Sequence, residues 1–307
     1  FKQKTAYEIR LSLVGSEMCI RDRQAKIEEW KTKVEDLIDN TEWPPHGKMA
    51  NTNTDPAKTL YFPKFPWPRL PAPAMRFPQD PAALAEVEEL ERDTLARAER
   101  AFDAHPHDIA AILIEPIQGE GGDNHFRGAF LQALRRLADE RGALLIFDEV
   151  QTFSRLSEPF AFQHFQLDKY ADIVSIGKIT QLCATLYRSE LKPKGPLLSQ
   201  TFTAASSSIA AALVVLEHLE KSNCFGPNGE NMRRHQVFSQ KLQELCKRYP
   251  GKISGPHGLG MMVAFTPGDG SNEVANKMVY AMYEAGLMGF VAGANPTRIR
   301  FLPPPFI

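Results

Sequence analysis

Glycine is scarce in the first part of the chain. Of its 20 glycines, only Gly15 and Gly47 precede residue 119. That stretch therefore cannot build a glycine-rich turn at a helix N-terminus, the usual cradle for a phosphate. Cysteine is also sparse: Cys19, Cys183, Cys224 and Cys246 are far apart and form no CxxC pair. This spacing excludes a disulfide scaffold and reads as free thiols in a reducing compartment. No stretch approaches the roughly 20 apolar residues of a membrane span. Residues 1–23 do not read as a secretory leader, because Leu11–Ile20 is interrupted by Glu17 and followed by Arg21-Asp22-Arg23. Charge of either sign is not in excess: 36 Lys and Arg face 37 Asp and Glu, for a net charge of -1. Neither a nucleic-acid nor a membrane partner is expected from that balance. A soluble, cytoplasmic protein is expected.

What is present is a globular composition, 43% hydrophobic and 24% charged, over 307 residues, a length that suggests about two domains. Residues 1–23 show no clear period and no caps, and they read as non-native, adapter-like text. A helix is predicted over 24–40, with Ile27, Trp30, Val34 and Leu37 on one stripe. Ten of the 23 prolines lie between Pro44 and Pro81, which predicts an extended segment lying across a surface or reaching toward a partner subunit. Residues 82–104 predict a helix whose inner face carries Val87, Leu90, Thr94, Ala98 and Phe102. Short apolar runs follow at Ile109–Ile114, Ala143–Phe147 and Ile173–Ile176, with an amphipathic helix over Phe126–Arg141 between the first two. This alternation predicts a mainly parallel α/β sheet. The runs end on Glu115, Asp148 and Gly177-Lys178, and ligands in such sheets lie beyond the carboxyl ends of the strands. From residue 206 onward, helices near 207–221, 230–248 and 272–285 alternate with strands near 253–265, 289–292 and 298–302. These predict a smaller C-terminal α+β domain over 206–307, beside a large domain over 24–205.

Asp148 and Lys178, 30 residues apart, are the residue types that pyridoxal phosphate needs: a lysine for covalent attachment and an acid beside the pyridine nitrogen. Taken alone, the pair reads first as a helix cap and a solvated side chain. The ordered segments Ile114-Glu115-Pro116-Ile117-Gln118-Gly119-Glu120-Gly121-Gly122, Phe147-Asp148-Glu149-Val150-Gln151-Thr152 and Ile176-Gly177-Lys178 together resemble the class III aminotransferases, fold-type I enzymes that use pyridoxal 5'-phosphate. The run from Glu115 to Phe126 is most similar to the lysine 6- and 4-aminobutyrate branch.

The resemblance implies a transaminase moving an amino group from an ω-amino acid (lysine, 4-aminobutyrate or ornithine type) to 2-oxoglutarate, and an active site shared within a homodimer. It makes Lys178 the covalent lysine and general acid–base, and Asp148 the partner of the pyridinium nitrogen. Val150 is implied against one ring face, and Gln151 on the phenolic oxygen. Thr201 would reach the cofactor phosphate of the neighbouring subunit. Glu115 would support the site from below. Arg300 would grip the substrate α-carboxylate, and Glu120 would mask that arginine when the substrate brings no carboxylate there. A same-family decarboxylase or aminomutase and an inactive, subunit-binding remnant are the alternatives.

The sequence departs from the family in several places. No phosphate cradle precedes Glu115. At His46-Gly47 the preceding residue is Pro45 rather than an aromatic, and a glycine-containing continuation after Thr152 is replaced by Phe153-Ser154-Arg155. The chain therefore reads as N-terminally truncated, ending soon after the Arg300 motif. His105-Pro106-His107 reads as solvated loop histidines rather than a metal site. His125 reads as a pocket-lining or hydrogen-bonded residue. Gly255–Gly260 reads as a turn, and Ser206–Ser208 as a helix cap.

Overall fold

A computed structural model describes residues 67–77, 80–195 and 205–304, and these fall within one compact unit. The expectations for residues 1–23, the helix at 24–40, the proline-rich run up to residue 66 and Thr201 lie outside the described residues.

Helix α1 (Pro81–Ala104) starts where Asp80 accepts a 2.7 Å bond from the Ala83 N–H, with Pro81 in the first turn. Its buried face carries Ala83, Val87, Glu91, Thr94, Ala98 and Phe102, while Leu90 is exposed. The predicted stripe thus erred at one position. Glu91 turns inward in place of Leu90 because Arg127 grips both of its carboxylate oxygens, at 2.8 and 2.7 Å, and reaches Glu88 at 2.8 Å. Ahead of α1, residues 67–77 have no regular structure. They are tied down by Thr94 Oγ1 donating to the Pro71 carbonyl and by the Met75 N–H donating to the His125 carbonyl.

The first sheet has the order β1-β2-β3-β4, with β1 (Ala111–Ile114), β2 (Leu144–Asp148) and β3 (Ile173–Ile176) parallel. Strand β4 (Ala184–Tyr187), which the sequence reading lacked, pairs antiparallel with β3. The sheet is thus mixed and mainly parallel. Strand β1 was expected to be buried, but Leu113 is exposed: among the described residues β1 is an edge, and nothing covers that side. Helix α2 (Gly128–Arg141) packs Phe130, Leu131 and Leu134 against Leu145 and Phe147 of β2 and Val174 and Ile176 of β3. Leu219 of helix α3 (Ser206–Lys221) and Cys224 close the same core. Ala205, rather than the expected serines, occupies the α3 cap position, and Ser206–Ser208 form the first turn.

The second sheet is antiparallel throughout, in the order β5-β6-β8-β7: β5 (Ile253–Leu259), β6 (Met262–Pro267), β7 (Phe290–Ala292) and β8 (Arg298–Phe301). The expected turn at Gly255–Gly260 is mostly strand; the chain reverses at Gly260-Met261. Val263, Phe265, Ile299 and Phe301 share a core with Leu242 of α4 (Glu230–Arg248) and Ala275 of α5 (Asn272–Glu284). Met262 also packs with Ile117, Leu156 and Ala161, which seats the hairpin beside the carboxyl edge of the first sheet. No helix among the described residues is long and apolar enough to cross a membrane.

One buried ion pair fixes α2 to the sheet. Asp172 accepts from Arg135 and from the Leu145 N–H (2.8 Å), and Arg188 stands 3.3 Å from its other oxygen. Without Asp172, the buried Arg135 keeps only the exposed Asp139 as counter-charge and the Leu145 N–H loses its acceptor; breaking a buried pair typically destabilises by about 3 kcal/mol or more. Asp172→Ala should therefore lower unfolding stability by about that amount in urea titration. A loss below about 1 kcal/mol, as for an exposed pair, would contradict this role.

Candidate active site

Strand pairing brings the sequence-predicted residues to one edge. Ile114 is in register with Phe147, and Asp148 with Ser175, so Glu115, Asp148 and Lys178 all emerge at the carboxyl ends of β1, β2 and β3. The Asp148 carboxylate is oriented by two donors: the Val150 N–H at 3.0 Å and Ser175 Oγ at 3.1 Å. Val150 packs beside Gly177, its Cγ1 lying 3.3 Å from where a Cβ on that glycine would stand. Lys178 follows directly, exposed, at the start of a single 3-10 turn (Lys178–Thr180), with φ +54.

Left-handed backbone at non-glycine residues is uncommon and tends to gather at functional sites. Here it recurs at Asp123 (+52), Ser154 (+62), Lys178 (+54) and Gln181 (+59), all close in sequence to the motifs that end β1, β2 and β3; it also occurs elsewhere, at His107, Gln166 and Asn295.

Arg300 comes from the second sheet. Along β8, alternation sends Ile299 and Phe301 into the core and Arg298 and Arg300 to the opposite side. Arg300 is buried, yet its charge is answered. Nη2 pairs with Glu120 Oε1, and Nη1 donates to Gln151 Oε1 at 2.9 Å. Gln151 closes the ring by donating Nε2 to the same Glu120 oxygen at 3.0 Å. Gly119 makes this possible, since a Cβ there would lie 2.5 Å from the Gln151 amide. The loop carrying Glu120 is fixed by its backbone. The Gly119 N–H donates to Glu115 Oε2 (2.9 Å), the Gly293 N–H donates to the Glu120 carbonyl (3.1 Å), and Arg298 Nη1 donates to the carbonyls of Gly122 (2.5 Å) and Asp123 (3.1 Å). Gly122 (φ +121) and Gly293 pack so closely that a Cβ on Gly293 would stand 2.7 Å from the Gly122 Cα.

Burial sets the electrostatics. Glu115 is pushed up to about 7, chiefly by desolvation, with the Gly119 N–H opposing and Asp148 adding to the rise. Asp123 is likewise raised to about 7 by burial, against the pull of Arg300 and Arg298; neither of its oxygens has a hydrogen-bond partner. The sequence reading missed Glu149 and Arg155. Glu149 is fully buried and accepts from the Ala161 N–H (2.7 Å), the Phe162 N–H (2.8 Å) and Thr152 Oγ1 (2.9 Å). Desolvation still raises it to about 7. Its signal was its parity with the buried Leu145 and Phe147. Among the described residues, no group of three or more His, Cys, Asp or Glu side chains is arranged to hold a metal ion.

The family model for aminotransferase class-III matches residues 45–307. The chain belongs to the class III aminotransferases. This is a pyridoxal-phosphate-dependent family. The L-lysine-epsilon aminotransferase of Mycobacterium tuberculosis is 36% identical over 271 residues, which cover 84% of this chain and 58% of that protein. The mitochondrial 4-aminobutyrate aminotransferase of Homo sapiens is 27% identical, over 84% and 51% respectively. The solved structure of lysine aminotransferase from M. tuberculosis in the internal aldimine form superimposes with a TM-score of 0.70 at 34% identity, covering 83% of this chain and 58% of that one. This class III chain thus spans little more than half the length of the lysine aminotransferases it matches.

His125, in the Glu115 segment of this aminotransferase chain, has no exposure, and neither ring nitrogen has a hydrogen-bond partner; its ring meets the Phe77 ring edge-on at 5.5 Å. The expected structural hydrogen bond is therefore missing. Burial, then the charge of Arg298, lowers its pKa to about 3. The unfolded chain would take up this proton near the ordinary value of 6.5 while the folded one would not, so stability falls as pH drops from about 6.5 toward 3. His125→Phe should raise the unfolding midpoint at pH 7 and flatten its decline over that window. An unchanged acid slope, measured by thermal unfolding across pH, would count against this account.

Proposed function

We propose that this chain is the lysine- and carboxylate-binding part of an ω-aminotransferase that moves an amino group from an ω-amino acid, of the lysine or 4-aminobutyrate type, to 2-oxoglutarate. The observation that carries the proposal is the ring of Arg300, Glu120 and Gln151 beside the strand ends that bear Asp148 and Lys178. Such a reaction must accept first a substrate with no carboxylate near the reacting carbon, then one that has it. A buried arginine answered by a mobile carboxylate suits both, because its charge is never left unpaired. Glu120 is able to move, since its side chain is about half exposed (47%).

The residues present fit the ring half of pyridoxal phosphate. Asp148, oriented by Ser175 and Val150, offers an acceptor to a protonated ring nitrogen. Val150 supplies an apolar surface. Gln151 keeps a second Nε2 proton free for the phenolic oxygen while the first stays on Glu120. When bound, the cofactor would supply an electron-accepting ring that draws negative charge from the carbon bearing the amine. Lys178 would hold the cofactor and move the proton at the carbon that bears the amine. Glu115 braces the Gly119 turn from beneath, and Arg300 receives the α-carboxylate bidentately. Thr201 is proposed for the phosphate, from a neighbouring subunit of a homodimer. In the same reading residues 24–205 form the cofactor-binding part of a fold-type I enzyme and 206–307 its smaller part.

The test is chemical. The 307-residue chain, mixed with pyridoxal phosphate and reduced with borohydride, should carry a pyridoxyl group on Lys178 by peptide mass mapping, and Lys178→Ala should abolish that label. Labelling spread over Lys169, Lys192 and Lys194, or none at all, would defeat the assignment.

A further inference from the structure

Arg155 stands next to the carboxylate site and takes no part in the roles given above. It is buried, with 8% exposure. Its Nε donates to the Gln151 carbonyl at 2.9 Å and its Nη1 to the Pro303 carbonyl at 3.0 Å. Its own backbone is pinned, because its carbonyl accepts from the Met261 N–H at 2.7 Å and its N–H donates to the Thr152 carbonyl at 3.1 Å. The guanidinium is therefore held from both ends. Among the described residues no carboxylate pairs with it. The charge it does feel is another cation: burial, and then Arg300, lower its pKa to about 10. Gln151 links the two arginines, accepting Arg155 on its main chain and Arg300 on its side chain. Glu115 and Asp123 also lie in the field of Arg300, but burial raises both to about 7, and among the described residues Glu120 supplies the carboxylate bonded to Arg300 while none is bonded to Arg155.

We propose that Arg155 is a specificity-determining residue: as a second fixed cation beside Arg300, it makes a bare Arg300 intolerable, so the pocket must hold either the Glu120 carboxylate or an acidic guest, and favours dicarboxylates. When Glu120 withdraws, two like charges remain in a desolvated space, where their repulsion is poorly screened. A guest that brings a carboxylate to Arg300 restores the balance, and a second carboxylate on the same guest also lies in the positive field of the pair. A neutral guest restores nothing. This inference rests on Arg300 being the carboxylate site of the proposed function.

A double-mutant cycle on the full chain tests it, read by thermal unfolding and by calorimetric titration with glutarate and with the mono-acid butyrate, neither of which needs turnover. Glu120→Gln should lower the melting temperature in the Arg155 background and lower it much less with Arg155→Met. The hydrogen bonds that Arg155→Met itself removes cancel across the cycle. In the Glu120→Gln background, Arg155→Met should weaken glutarate binding about fivefold or more, and butyrate binding less. Arg155→Lys, which keeps the charge, should follow wild type. Arg155→Gln provides a second neutral variant if the methionine does not fold. If Glu120→Gln has the same effect with and without Arg155, or if lysine behaves as methionine does, the role of Arg155 is overturned while glutarate binding to Glu120→Gln keeps the Arg300 reading intact. If glutarate does not bind even Glu120→Gln, the Arg300 reading itself falls, and this inference with it.

Discussion

A guanidinium taken out of water is costly unless an opposite charge or acceptors for its N–H groups answer it. Arg300 is 3% exposed, and much of the arrangement around it follows from that requirement. Glu120 has to come within reach, so the Gly119–Asn124 loop folds back against β8. Gln151 has to lie flat between them, so residue 119 can carry no side chain. Arg298, two residues earlier on the same strand face, binds the carbonyls of the loop that Arg300 binds through its carboxylate. The second sheet thus supplies both the charge and the backbone anchor for a loop that belongs to the first.

Much of this was legible in the sequence because strands alternate and helices repeat. The runs that became β1, β2 and β3 were visible as apolar segments with polar ends, and strand-end position alone brought Glu115, Asp148 and Lys178 to one edge. Glu149 was overlooked although parity with Leu145 and Phe147 pointed it inward. A buried glutamate runs against composition, and what tolerates it is a set of three donors, two of them backbone N–H groups that only the fold brings near. Leu90 and Glu91 were exchanged for the same kind of reason, because the fork of Arg127 is 36 residues away from Glu91. Strand β4 was missed because Ala184–Tyr187 is short and mostly exposed, with little apolar signal. The ring of Arg300, Glu120 and Gln151 was foreseen only in part: the resemblance paired Glu120 with Arg300, but Gln151 as the bridge depends on a contact 149 residues apart in the chain.

Arg155 shows where reading by resemblance has least to offer. The segment Phe153-Ser154-Arg155 looked like a departure from a pattern, hence a defect. In the fold Phe153 fills the first core, Ser154 takes a left-handed turn, and Arg155 reaches across to Pro303. The substituted residues are built into the site, and Arg155 changes its charge balance.

The anchoring of Glu120 also fixes how it can act. Its carbonyl is bonded to the Gly293 N–H, and the loop on either side is tied to Glu115 and Arg298. The side chain, by contrast, is about half exposed. Unmasking Arg300 is therefore a rotation about side-chain bonds and not the opening of a loop. Exposed side chains change rotamer in picoseconds to nanoseconds, whereas loops and lids move in nanoseconds to milliseconds. In the proposed function, Glu120 would leave Arg300 by breaking its own ion pair, with no backbone segment to open.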